Sequence, residues 1–232
     1  MRWAMRGLLV AAAAMVASAG SAGRADERFR SLFNGKDLTG WDGNPRYWSV
    51  REGALTGENP KEGGTPANTF LIWRGGTLKD FELRVKWRIT GAGGNSGIQF
   101  RSKDHGNWVV GGYQADLDTD NQYTGIGYEE RGRSIFAQPG EKVVLPPDGK
   151  PRVVEKFADP AELRAAVKRG EWNEYRIVAR GNHVAEYLNG RRCVEFTDED
   201  PQRRALEGIL ALQLHSGPPM VVQFKDLLLK EL

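Results

Sequence analysis

"FELRVKWRI", residues 81–89, sets Phe81, Leu83, Val85, Trp87 and Ile89 against Glu82, Arg84, Lys86 and Arg88. Successive side chains of a strand point to opposite faces, so a period of two gives this segment one core face and one water face. Shorter alternations follow in "SGIQFRS" (96–102), "NEYRIVARG" (173–181), "HVAEYLNGRRCVEF" (183–196), "GILALQLHS" (208–216) and "VVQFKDLLL" (221–229). Turn signals separate them at "GAGGN", "RGN", "NG" and "GPP". Asn189-Gly190 predicts a two-residue hairpin turn with positive φ at both positions. One helix is predicted: Asp159 as N-cap, Pro160 as first helical residue, "AELRAAVK" following, and Gly170 just past the end. Residues 138–157 predict a long loop or an edge excursion. Many short strands with glycine-rich turns and a single inserted helix predict an all-β fold, a two-sheet antiparallel β-sandwich with jelly-roll connections.

The chain opens with Arg2 and Arg6, continues through the apolar "GLLVAAAAMVA" at 7–17 and ends this segment in small residues, the pattern of a secretory signal peptide over residues 1–25. Cleavage after Ala22, after Ala25 or after "ASA" at 17–19 fits equally. The expected mature domain, residues 26–232, is secreted or periplasmic, and its apolar stretches are too short for a transmembrane segment. Arg2, Arg6 and Arg24 precede the first acid, so without residues 1–25 the chain has 30 basic and 30 acidic residues. No global positive field steers it to nucleic acid. Cys193 is the only cysteine, which excludes an internal disulfide and leaves stability to the core. Oligomeric state is not readable from these features.

Alternation also sorts side chains by face. Ile98 and Phe100 oppose Gln99 and Arg101; Tyr113, Ala115 and Leu117 oppose Gln114, Asp116 and Asp118; Leu210, Leu212 and Leu214 oppose Ala211, Gln213 and His215. Set in one sheet and facing one way, these three strands make a polar floor suited to a sugar, flanked by aromatics such as Trp73, Trp108 and Tyr128. Aspartate is a poor strand former, so Asp116 and Asp118 call for a compensating role, although a solvated strand face is the commoner origin of such a pattern. An EF-hand frame starting at Asp118 and ending at Glu129 fails, because its sixth position is Tyr123 where glycine is required. A retaining glucanase frame, Glu-x-Asp-x-x-Glu, falls on Gln114, Asp116 and Thr119 and lacks both terminal carboxylates. Asp116 paired with Glu129 or Glu130 stays open. His215 lies beside Gln213 on the polar face, where a lone histidine is more often structural than catalytic.

With "LFNGKDLTGW" (32–41), "KDFELRVKWRI" (79–89), "GNSGIQFRS" (94–102), "GYQADLD" (112–118), "YEERGR" (128–133) and "LALQLHSGPP" (210–219), the chain resembles the 3-keto-disaccharide hydrolase domain family over residues 29–232. The resemblance implies a concanavalin A-like sandwich and cleavage of glycosides whose ring carries a ketone at C3. Such a ketone acidifies the C2 proton, so the glycosidic oxygen leaves by elimination and water adds afterwards, with a base, enolate stabilisation and an acid in place of a nucleophilic carboxylate. Many relatives have Glu where this chain has Gln114 and Gln where it has Asp116. Carried over by position, the catalytic residues are Asp116, Glu129 and His215: His215 or Asp116 as base, Glu129 as proton donor, and Arg101 or Arg133 polarising the ketone. Gln99, Arg101, Gln114, Arg133, Gln213 and Trp73 would bind the small oxidised sugar. A divalent cation on Asp116, Glu129 and His215 is the alternative means of stabilising the enolate. A non-catalytic, lectin-like sugar-binding module is the rival function.

Overall fold

Phe81–Thr90 lies in the interior of a sheet: its five apolar residues are buried while the charged residues between them are partly exposed. The computed structural model describes Met1 and residues 29–232, so the expected signal peptide, apart from Met1, lies outside the described residues. Along the chain the strands are β1 (Arg30–Ser31), β2 (Trp41–Asp42), β3 (Trp48–Arg51), β4 (Ala54–Asn59), β5 (Thr69–Trp73), β6 (Phe81–Thr90), β7 (Asn95–Asp104), β8 (Val110–Asp118) and β9 (Gly127–Glu130). They continue with β10 (Ser134–Ala137), β11 (Glu141–Leu145), β12 (Arg152–Lys156), β13 (Asn173–Arg180), β14 (His183–Leu188), β15 (Arg191–Asp198), β16 (Ile209–Leu214) and β17 (Met220–Glu231).

Two sheets face each other. One runs β12-β11-β15-β14-β13-β6-β17-β4-β3 with β1 added against β17; the other runs β10-β9-β8-β7-β16-β5-β2. Pairing is antiparallel except between β11 and β15. Their inner faces share one hydrophobic core, Phe81, Val85, Trp87 and Phe224 from the first sheet meeting Phe100, Tyr113, Leu117 and Leu212 from the second. Ring pairs cross the interface edge-on or tilted, Phe81 to Phe100 at 6.1 Å and Tyr113 to Phe196 at 5.1 Å. The expected jelly-roll sandwich is the observed fold, and Cys193 is a free thiol buried in that core.

Asn189 and Gly190 turn with φ of 48° and 80°, as their chemistry predicts. Of the two alternatives for residues 138–157 the edge excursion is the one observed: residues 141–156 form an edge hairpin, β11 and β12. The helix, α1 (Pro160–Ala165), starts at the expected cap, where the Asp159 carboxylate accepts the Ala161 N–H, but it stops short of Lys168. Neighbouring side chains compete for its last turn: Asn189 donates to the Ala166 carbonyl, and Asn173 both donates to the Lys168 carbonyl and accepts its N–H. Among the described residues no helix is long and apolar enough to cross a membrane.

Candidate active site

The three polar strand faces do fall in one sheet. β8, β7 and β16 are neighbours, with Gln99 opposite both Gln114 and Ala211, and Gly97 opposite Asp116. Tyr113, Ala115, Leu117, Leu210, Leu212 and Leu214 enter the core, so Gln114, Asp116 and Gln213 point to the outer face. There they meet a cavity of about 340 Å³ whose polar lining is Asn95, Gln114, Asp116, Tyr128, Glu130, Gln213, His215 and Ser216.

A directed chain of hydrogen bonds orders this floor. The Ser102 hydroxyl donates to Gln99 Oε1 at 2.7 Å, Gln99 Nε2 donates to Gln114 Oε1 at 2.6 Å, and Gln114 Nε2 points at Asp116 Oδ1 at 3.4 Å. Space for it comes from Gly97, where a Cβ would stand 2.3 Å from Gln114 Cδ. Gly97→Ala is therefore expected to displace the Gln114 amide and to weaken sugar binding in the cavity to the extent Gln114→Ala is expected to, with far-ultraviolet circular dichroism unchanged; comparison of the two variants' sugar affinities checks this.

Burial sets the charges. It pushes the Asp116 carboxyl well above the usual carboxylate range, and the nearby Asp118 charge adds to the rise; the Leu117 N–H and the Asn95 and Gln114 amides oppose it. Below Asp116, the Tyr175 hydroxyl donates to its carbonyl at 2.5 Å and accepts the Gly125 N–H at 2.9 Å, which anchors the strand. Burial also raises Glu130, against the His215 charge and the Gln213 amide. Glu130 accepts from Gln213 Nε2 at 3.0 Å, although β8 and β7 lie between their strands. Gln213 Oε1 is buried and has no hydrogen-bond partner among the described residues. Tyr128 is raised by burial, then by the charges of Glu130 and Asp116, which keeps its phenol a hydrogen-bond donor.

Asp118 serves the adjoining loop. Its carboxylate accepts the N–H groups of Gln122, Tyr123 and Thr124 and the Thr124 hydroxyl, at 2.7–3.1 Å. That loop carries Tyr123 to the cavity rim. Among the described residues no three His, Cys, Asp or Glu side chains are grouped to hold a metal ion. The set Asp116, Glu129 and His215 does not fit one either, because Glu129 faces away from the other two.

Of the site residues expected from the sequence, the structure brings Gln114, Asp116, Gln213 and His215 to the cavity and sets Gln99 directly behind them. It places Glu129, Arg133, Arg101 and Trp73 elsewhere. Glu129 pairs across β8 with Tyr113, on the inner face, and its carboxylate binds Arg133 at 2.8 Å. Arg133 also binds Asp198 at 3.0 Å, and Asp198 accepts the Tyr113 hydroxyl, so the pair belongs to a buried ion network. Arg101 sits in a bulge with φ of 47°, where the pairing of β7 with β8 shifts register. Its guanidinium turns away to the Lys79 and Gly181 carbonyls and Asp80. Trp73 joins Leu71 in the core, while Phe70 and Ile72 take the outer face of β5. Trp108 donates to Asp42 at 2.7 Å. Asn95 and Tyr123 were not among the expected site residues, and Glu130 entered only as the alternative to Glu129 as partner of Asp116. A signal for Glu130 existed: Tyr128 flanks the floor, and a period of two puts Glu130, not Glu129, on its face.

A family model described as 3-keto-alpha-glucoside-1,2-lyase-like domain matches residues 28–230. The chain belongs to this family. As a member it is a carbohydrate-active protein, and the 3-keto-alpha-glucoside-1,2-lyase-like domain spans both sheets and the whole cavity. Solved structures show the same fold. Two glycosyl hydrolase-like proteins of Parabacteroides distasonis superpose with TM-scores of 0.58 and 0.57 at 18% and 23% identity, covering 88% of this chain in each case and 99% and 94% of theirs. A carbohydrate-binding module of Bacillus subtilis, CBM66, does so with a TM-score of 0.53 at 16% identity, covering 84% of this chain and 97% of the module. No curated protein sequence matches. Since enzymes and binding modules share the sandwich, function rests on the cavity itself.

Proposed function

We propose that the protein is an exported hydrolase that cleaves the glycosidic bond of 3-keto-glycosides, 3-keto-disaccharides among them, by elimination and hydration. The observation that carries this is the grouping of two carboxyls with raised pKa, Asp116 and Glu130, with His215 and a protonated Tyr128 in one cavity of a carbohydrate-active domain. A binding module gains nothing from burying a carboxyl as deeply as Asp116.

In this mechanism Glu130, beside His215, removes the C2 proton and the electron pair moves onto the ketone oxygen, where the Tyr128 hydroxyl donates to the enolate. The enolate re-forms the ketone, the C1–O1 bond breaks, and Asp116 gives its proton to the departing oxygen. The resulting C1=C2 bond, conjugated with the ketone, takes up water: Asp116 recovers a proton from the water as its oxygen joins C1, and Glu130 returns one to C2. The products are the 3-keto sugar and the free alcohol. Asp116 is the acid because it is buried beside another acid, Asp118, which favours its protonated form, whereas the His215 charge beside Glu130 favours the ionised one. Gln114 holds the Asp116 carboxyl in place and Gln213 holds Glu130.

The signs of these shifts set the pH profile. Glu130 must be ionised, so kcat/KM rises as pH climbs through a pKa above the ordinary glutamate range; Asp116 must be protonated, so it falls again through a higher one. A bell narrowed from the acid side is expected, and initial rates across pH on a 3-keto-disaccharide measure it. The function itself is tested by incubating the mature protein with a 3-keto-disaccharide and its unoxidised parent. Sugar release from the keto form alone is expected, and release from the parent alone would overturn the proposal.

A further inference from the structure

Beside its polar groups the cavity is lined by Tyr123, Ile126, Tyr128 and Ile135, all from the segment 123–135, and by Pro218 beyond the end of β16. Two of these are exposed to an extent unusual for their type, Tyr123 at 38% and Ile135 at 42%. Both are held there by the fold. The Asp118 carboxylate fixes the loop that carries Tyr123, accepting its N–H directly. Ile135 pairs with Tyr128, which in turn pairs with Gln114, so edge strand β10 extends the polar floor with an aliphatic side chain.

We infer that this wall is an aglycone subsite, and that the protein acts on glycosides whose leaving group is an apolar aryl alcohol in preference to a second sugar. This rests on the keto-glycoside cleavage proposed for the same cavity. Sugar rings present hydroxyls on every edge, and a hydroxyl removed from water without a partner costs about 1–3 kcal/mol. Ile126, Ile135 and Pro218 have no side-chain donor or acceptor to replace that water. Stacking of sugar C–H faces needs aromatic rings, which Tyr123 and Tyr128 supply but the two isoleucines do not. An aryl group meets both surfaces, ring against ring and ring against aliphatic side chain, and gains from the apolar area each loses to water. The donors and acceptors that a keto-sugar ring requires are at Gln114, Asp116, Glu130 and Gln213.

The test separates binding from turnover. Calorimetry on Glu130→Gln protein, which lacks the base for the C2 proton, with the 3-keto derivative of a phenyl glucoside and of a glucose disaccharide, reads the preference without cleavage. The aryl compound is expected to bind about tenfold more tightly, and Ile135→Asn, added to the same protein, to lower the aryl-to-disaccharide affinity ratio about fivefold or more. Equal or tighter binding of the disaccharide, or a ratio unmoved by Ile135→Asn, would overturn the inference. Aryl preference in binding with no cleavage of either compound by the wild type would leave the subsite standing and remove the proposed hydrolase activity.

Discussion

Asp116→Asn is expected to lower kcat by about 10²- to 10⁴-fold, the usual worth of a positioned proton donor, with little change in KM. Asparagine keeps the acceptor that faces the Leu117 N–H and the Gln114 amide, so the floor stays ordered, but it has no carboxyl proton to give the leaving oxygen. The same variant should be more stable than the wild type near neutrality. A carboxyl whose pKa is raised on folding favours the folded state while both states are protonated; that contribution is lost as pH rises past the unfolded pKa and through the folded one. Replacing it with a neutral amide removes the loss, so Tm should rise at pH 7 by about 2–4 °C and stay near the wild-type value at pH 3. Steady-state kinetics on a 3-keto-disaccharide and thermal melts at the two pH values check both effects. Full activity with unchanged Tm would mean that the buried carboxyl has no part in proton transfer.

Neighbouring glutamates should behave in opposite ways. Glu130→Gln is expected to cost about 10²- to 10⁴-fold in kcat/KM, since an amide cannot remove the C2 proton. Glu129→Gln should leave kcat near the wild-type value but lower stability by about 1–3 kcal/mol, because it weakens a well-buried pair with Arg133. Arg133 retains Asp198 and Asp200, which limits the loss. Kinetics and chemical denaturation of the two variants side by side read this contrast. Loss of kcat in Glu129→Gln with the stability loss in Glu130→Gln would reverse the faces assigned to β9.

Why one glutamate and not the other is clear in the structure but was hard to see in the chain. Long alternating strands were legible because nine or more residues fix their phase: Phe81–Thr90, Val110–Asp118 and Asn95–Asp104 up to Phe100 all face as expected. β9 has four residues, two of them adjacent acids, so its phase depends on which residue pairs with Gln114. "TFLIW" in β5 is almost wholly apolar, and either phase looks equally suited to a core; the structure turns Trp73 inward and Phe70 outward. Arg101 escaped its period through a bulge that depends on a strand over a hundred residues away, where Gly208 leaves room for its backbone. By its period Asp118 falls on the face of the floor, yet its carboxylate is committed to loop N–H groups that only the folded turn supplies. The amide chain from Ser102 to Asp116 could not be foreseen, since its order follows from strand register alone.

Every later step follows from removal of the C2 proton, so a substrate without that proton tests it most directly. A 3-keto-disaccharide is expected to release its sugar, and its 2-C-methyl analogue, which has no proton at C2, to stay intact under the same conditions. Release of sugar from the analogue at a comparable rate would contradict cleavage by elimination.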